Sequence, residues 1–156
     1  PEGESDIYRD SPLRYLGYAN EVGEAFRPLV PVTVVYFSYF LAIAYILADT
    51  VDKGKKGAEG EKGGAIRGTL GALDTFCWQM LASVLFPSFV INRSVCLLAS
   101  LGATDSLPDL LSASFVPTAV GLALIPLVIL PLDTLAHFTL NSSFRRASGA
   151  VSASLD

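Results

Sequence analysis

The 156 residues are 51% hydrophobic and only 17% charged, with 11 basic against 15 acidic side chains and a mean hydropathy of +0.48. An ordinary soluble domain carries about 25% charge, so this chain is too poor in charge to cover itself with water. The net charge of −4 argues against a nucleic-acid partner, which needs clustered Lys and Arg. Two cysteines, Cys77 and Cys96, and one histidine, His137, make neither a zinc constellation nor a disulfide framework.

The first segment, residues 1–28, opens acidic: Glu2, Glu4, Asp6 and Asp10 stand against Arg9 alone. That is the reverse of a transit peptide. The expectation is an uncleaved protein addressed by its own spans, with Pro1 as methionine excision would leave it. Ser11-Pro12 reads as a helix start, a hydroxyl N-cap with proline at the first helical position. Beyond it Tyr15, Tyr18, Ala19, Val22 and Phe26 recur at helical spacing and make one apolar, aromatic face. The opposite side carries Arg14, Asn20, Glu21 and Glu24. Such an amphipathic helix is expected in the headgroup layer, on a partner, or against the protein's own spans.

The membrane domain is expected over residues 29–132. From Leu29 to Ala48 the chain runs 20 residues without a charge, enough to cross roughly 30 Å of hydrocarbon. A soluble bundle with unusually apolar helices is the competing reading, but a soluble core helix keeps a polar stripe, and this run offers only Thr33, Ser38 and its tyrosines. Residues 49–71 hold five of the 11 basic residues among many glycines and read as an exposed polar loop. Lys53, Lys55 and Lys56 in it form a juxtamembrane basic cluster suited to anionic, cardiolipin-like lipid. Gly64 and Gly68 have small-xxx-small spacing, read here as loop flexibility.

Leu73 to Ile91 is apolar apart from Asp74 and Gln79 and is expected to be a further span. Val95 to Leu101 either continues that helix or turns back as a fourth short element. A final uncharged run, Leu110 to Leu132, carries Pro117, Pro126 and Pro131, which spanning helices tolerate as kinks. A tail follows over residues 133–156. With three spans, seven basic residues fall on the side of the 49–71 loop and the tail and four on the other, which favours the amino terminus on the translocated face; with two crossings between Leu73 and Leu111 the count is six against five and favours neither.

Ionisable groups in or beside spans are the first place to look for function. Here they are Asp74, Arg93 and Asp133, with Gln79 and Asn92 as polar companions, and the expected role is structural pairing rather than translocation. The sequence has no internal repeat and no nucleophile elbow or zinc-protease motif, so no catalytic, cofactor-binding or metal-binding residue is assigned. Lipid or partner contact is assigned to Tyr15, Tyr18, Val22, Phe26, Lys53, Lys55 and Lys56.

Several blocks are long enough to be specific: RYLGYANEVGEAFR from Arg14 to Arg27, LAD at Leu47 to Asp49, DKGKK from Asp52 to Lys56, DTFCWQMLAS from Asp74 to Ser83, and PSFVINR from Pro87 to Arg93. Together they resemble the mitochondrial fission process protein family, over about residues 6–146. The resemblance implies an all-α, multi-pass, non-enzymatic protein of the mitochondrial inner membrane linked to fission and membrane shape, with no catalytic residues to carry over. It would make the glycosylation patterns at Asn92 and Asn141 irrelevant. Its expected partners are membrane lipids and other inner-membrane proteins. A small spanning protein without chemistry of its own also fits an accessory subunit of a respiratory complex or ATP synthase, and, as a third reading, a small transporter.

Overall fold

A computed structural model describes residues 12–60, 64–102 and 115–153. The expected Ser11 cap, the acidic amino terminus and residues 110–114 lie outside them. A 3-10 turn over Pro12–Tyr18 leads into α1, Ala19–Phe26. Three long helices follow: α2 over Val32–Glu59, α3 over Ala65–Gly102 and α4 over Val116–Ser142. A short α5, Phe144–Ala153, ends the described chain. All three long helices are long and apolar enough to cross a membrane, and no strand occurs among the described residues.

Two sequence expectations change, and between them one open choice is decided. Residues 49–71 are not a loop: α2 continues to Glu59 and α3 begins at Ala65. The glycines are there for packing. A Cβ on Gly68 would stand 2.8 Å from the Cβ of Ala58 and 2.8 Å from the Gly54 carbonyl oxygen, so Gly54, Ala58 and Gly68 let α2 and α3 touch backbone to backbone. Tertiary contact overrides the weak helix propensity of glycine, and Lys56 at 3.1 Å from Asp52 adds an i,i+4 ion pair. Flexibility is therefore not what these glycines supply, except at Gly64, whose φ of 135° starts α3.

The second point, left open between two readings at Val95 to Leu101, goes to continuation: the segment extends α3, through a π-helical stretch over Met80–Leu85. The cause is local: Pro87 has no N–H to close the α-helical bond to the Ser83 carbonyl, and the Asn20 amide of α1 donates to that oxygen at 2.8 Å instead. Third, α4 passes beyond Leu132 to Ser142 with Pro126 and Pro131 inside it. Asp133 and His137 thus belong to the long helix and not to a tail.

The packing directions follow from the close contacts. Gly17 meets Tyr45 of α2 and Gly23 meets Val35 and Ser38, so the 3-10 turn and α1 run antiparallel to α2. They lie along its flank over the ten residues from Val35 to Tyr45, about 15 Å of helix. Asn20 bonds at Ser83 and Ser88, and Glu24 at Asn92, so α1 runs parallel to α3. A Cβ on Gly121 would meet Ala25 at 3.0 Å and Val95 at 2.7 Å, which puts α4 against both. Of the three places open to the amino-terminal helix, the headgroup layer, a partner or the protein's own long helices, it takes the last and is wedged between all three. Two small apolar clusters close the body: Ala25, Ile91 and Val95 with Ile125 beside them, and Tyr45, Ile46 and Val84 with Tyr39, Phe76 and Met80.

Candidate functional site

The amphipathic character of α1 is real, and its orientation is inside out. Asn20 and Glu21 are 0% exposed and Glu24 2%, whereas Tyr15 is 68%, Val22 40% and Phe26 36% exposed. A helix in water turns charge outwards. Between helices whose outer faces suit lipid, polar groups find partners only inside, so the polar stripe turns in.

Glu24 is the best satisfied of these groups. Arg27 grips it as a fork, Nε to Oε2 at 2.7 Å and Nη2 to Oε1 at 2.6 Å. Tyr39 of α2 donates to Oε1 at 2.8 Å and Asn92 of α3 to Oε2 at 2.8 Å. One carboxylate thus joins three helices. Burial pushes its pKa up, but the hydrogen bonds from Arg27, Asn92 and Tyr39, with the Arg27 charge, outweigh burial and hold it below the ordinary value. The same hydrogen bond raises Arg27 against the opposing effect of burial.

One turn earlier Asn20 donates to Ser83 and, at 2.7 Å, to the Ser88 hydroxyl. The Ser83 hydroxyl donates to Gln79 Oε1 at 3.2 Å, and Gln79 Nε2 donates to Asp49 Oδ2 at 2.8 Å. Asp49 is fully buried, with Lys53 Nζ 3.9 Å away one turn on. Glu21 differs from all of these. Neither carboxyl oxygen has a hydrogen-bond partner among the described residues. Burial, and then the charge of Asp133 on α4, push its pKa up to about 8.

A second polar group sits where α3, α4 and α5 meet. Arg145 of α5 forks onto Asp74 of α3 at 2.6 and 2.8 Å, which raises the arginine further. It also reaches Asn141 Oδ1 at 3.0 Å and the His137 ring at 3.0 Å, and that ring packs on Trp78 with centroids 5.3 Å apart. Arg67, Leu70, Gly71, Asp74, Arg145 and Ser148 line an open cavity of about 420 Å³ here.

The five intramembrane polar residues singled out in the sequence therefore do not pair with one another. Asp74 takes Arg145, Gln79 takes Asp49, Asn92 takes Glu24, Arg93 lies over the Phe89 ring at 5.6 Å, and Asp133 acts on Glu21 through its charge, with no hydrogen bond between them. Of the residues assigned to lipid or partner contact, Tyr15, Val22, Phe26, Lys55 and Lys56 are exposed, and Tyr18 and Lys53 are half-buried. Sequence reasoning missed Asn20, Glu21, Glu24, Tyr39, Asp49 and Arg145. The available signal was the tight Arg27-Pro28 corner, which forces α1 back along the span that follows it.

Comparison with known proteins finds the family model described as Mitochondrial 18 KDa protein (MTP18) matching residues 8–67. A human protein named Mitochondrial fission process protein 1 is 51% identical over 152 residues, covering 94% of this chain and 90% of its own. The zebrafish protein of that name is 49% identical, covering 90% and 87%. The protein of that name in Caenorhabditis elegans is 42% identical, again covering 90% and 87%. No solved structure matches.

Proposed function

The chain belongs to the mitochondrial fission process protein family, and from that membership we propose that it is a non-enzymatic, multi-pass protein of the mitochondrial inner membrane. In this reading it acts in fission by presenting a rigid helical body to lipids and to other inner-membrane proteins. The observation that supports it is the inverted α1. Asn20 and Glu24 are taken up in tying α1 to α2 and α3, while Tyr15, Val22 and Phe26 are exposed, as are Tyr36, Phe37 and Phe40 of α2. Lys55 and Lys56 project from the far end of α2, where anionic headgroups of the cardiolipin kind would meet them.

Replacing Lys55 and Lys56 with Glu tests this in cells lacking the native protein. The expected result is a normal amount of protein that fails to restore mitochondrial shape; full restoration would count against the basic end as a working surface. A native-gel profile of mild-detergent extracts, read by mass spectrometry, tests the scaffold itself. Migration with shape-controlling proteins supports it, and fixed-ratio migration with a respiratory complex or ATP synthase replaces it with an accessory-subunit role.

A further inference from the structure

Glu21 is fully buried, yet both of its carboxyl oxygens lack a hydrogen-bond partner among the described residues. Its neighbour Asn20 is equally buried and leaves its own Oδ1 unpartnered. Glu24, three residues on in the same helix, takes four donated hydrogen bonds. The bundle thus supplies donors generously to one carboxylate and none to the other. An ionised carboxylate without a donor is costly in an apolar interior, and such a group holds its proton instead. The charged group whose field reaches Glu21 is Asp133 of α4, a second acid. On the other elements packed against α1, Tyr39 of α2 and Asn92 of α3 are turned to Glu24, and Asp49 of α2 to Gln79. No cation faces Glu21 among the described residues.

We infer that the Glu21 carboxyl is a proton-binding site in the bundle interior: fully buried and with no donor for either oxygen among the described residues, it keeps its proton where Glu24, three residues on, gathers donors instead. The site binds a proton and not a metal cation: its ligands would be two oxygens of Glu21 and one of Asn20, with no set of three or more His, Cys, Asp or Glu around a common point among the described residues.

Dicyclohexylcarbodiimide, an apolar reagent that adds to protonated carboxyl groups, tests this on the full chain in lipid nanodiscs. The adduct at each Asp and Glu is located by mass spectrometry across a range of pH, with and without 100 mM sodium or potassium chloride. The expected result is an adduct at Glu21 that is complete at neutral pH and disappears on the alkaline side with a single midpoint, unaffected by either salt. Asp133→Asn removes the neighbouring negative charge and is expected to move the midpoint down by about one pH unit. Glu21 unmodified while other carboxyls react, or modified equally at every pH, overturns the site. Protection by sodium or potassium at fixed pH makes it a cation site and overturns the proton assignment. An unmoved midpoint in Asp133→Asn overturns Asp133 as the charge that acts on the site.

Discussion

Replacing Glu24 with Ala removes the acceptor that holds α1, α2 and α3 to one point. Tyr39 and Asn92, each half-buried, lose their partners, and a buried donor left unmade costs about 1–3 kcal/mol. The Arg27 side chain is 30% exposed and can turn to water, so its loss adds little. The sum is roughly 2–6 kcal/mol, which for a chain of this size corresponds to a fall in Tm of roughly 4–24 °C. Thermal unfolding in detergent micelles, followed by the fluorescence of Trp78, measures it. Asn92→Ala provides the second arm of a double-mutant cycle: if Glu24 and Asn92 act as one unit, the double variant is less destabilised than the two singles combined, by at least about 0.5 kcal/mol. A Tm within 2 °C of the native protein, taking about 0.5 kcal/mol as the limit of an ordinary surface change, together with strictly additive variants, would refute the account of Glu24 as the joint.

Gly68→Leu is expected to force apart the α2 and α3 backbones, which meet within 3 Å of its Cβ position; overpacking of this kind costs about 1–3 kcal/mol. Melting no lower than that of Thr69→Leu, an exposed neighbour, would count against it. Asp74→Asn breaks the fork from Arg145. Both side chains are 31% exposed, so stability should fall by less than about 1 kcal/mol, while trypsin cuts faster after Arg145 and Arg146 as α5 loosens; an unchanged cleavage rate would place the anchor of α5 elsewhere. Burial, and then the Asp133 charge, push the Glu21 carboxyl from its ordinary value of 4.5 up to about 8, so the folded state keeps a proton that the unfolded chain gives up. Its contribution is therefore greatest below about pH 4.5, declines as pH rises towards 8 and is flat above. Glu21→Gln removes that slope, making the variant the more stable at pH 7 by roughly 1–3 kcal/mol, and parallel melting profiles for the two proteins across this range would contradict it.

The long apolar helices were legible because a crossing of hydrocarbon demands a length and an apolarity that composition states directly, as the 20 uncharged residues from Leu29 to Ala48 do. The stretch from Asp49 to Gly71 was misread because its glycines and charges look like a loop one residue at a time. Only the facing helix shows that Gly54 and Gly68 are a contact and that Asp52 and Lys56 are a turn apart on one face. The π-helical turn was half visible. Pro87 announces a freed carbonyl at Ser83, but nothing in the local sequence says that Asn20, 63 positions away, supplies its donor.

The polar site was invisible for a different reason. Helical periodicity says which residues of α1 share a face, and the spacing of Tyr15, Tyr18, Val22 and Phe26 did so correctly. It does not say which face is outside, because that depends on the solvent of the surrounding body. Water outside would turn Glu21 and Glu24 out; three apolar neighbours with lipid-suited surfaces turn them in. Once inside, each acid has two options, to gather donors or to keep a proton. Glu24 lies where Arg27, Tyr39 and Asn92 converge and takes the first. Glu21, one helical turn back and opposite the acid of α4, is left with the second.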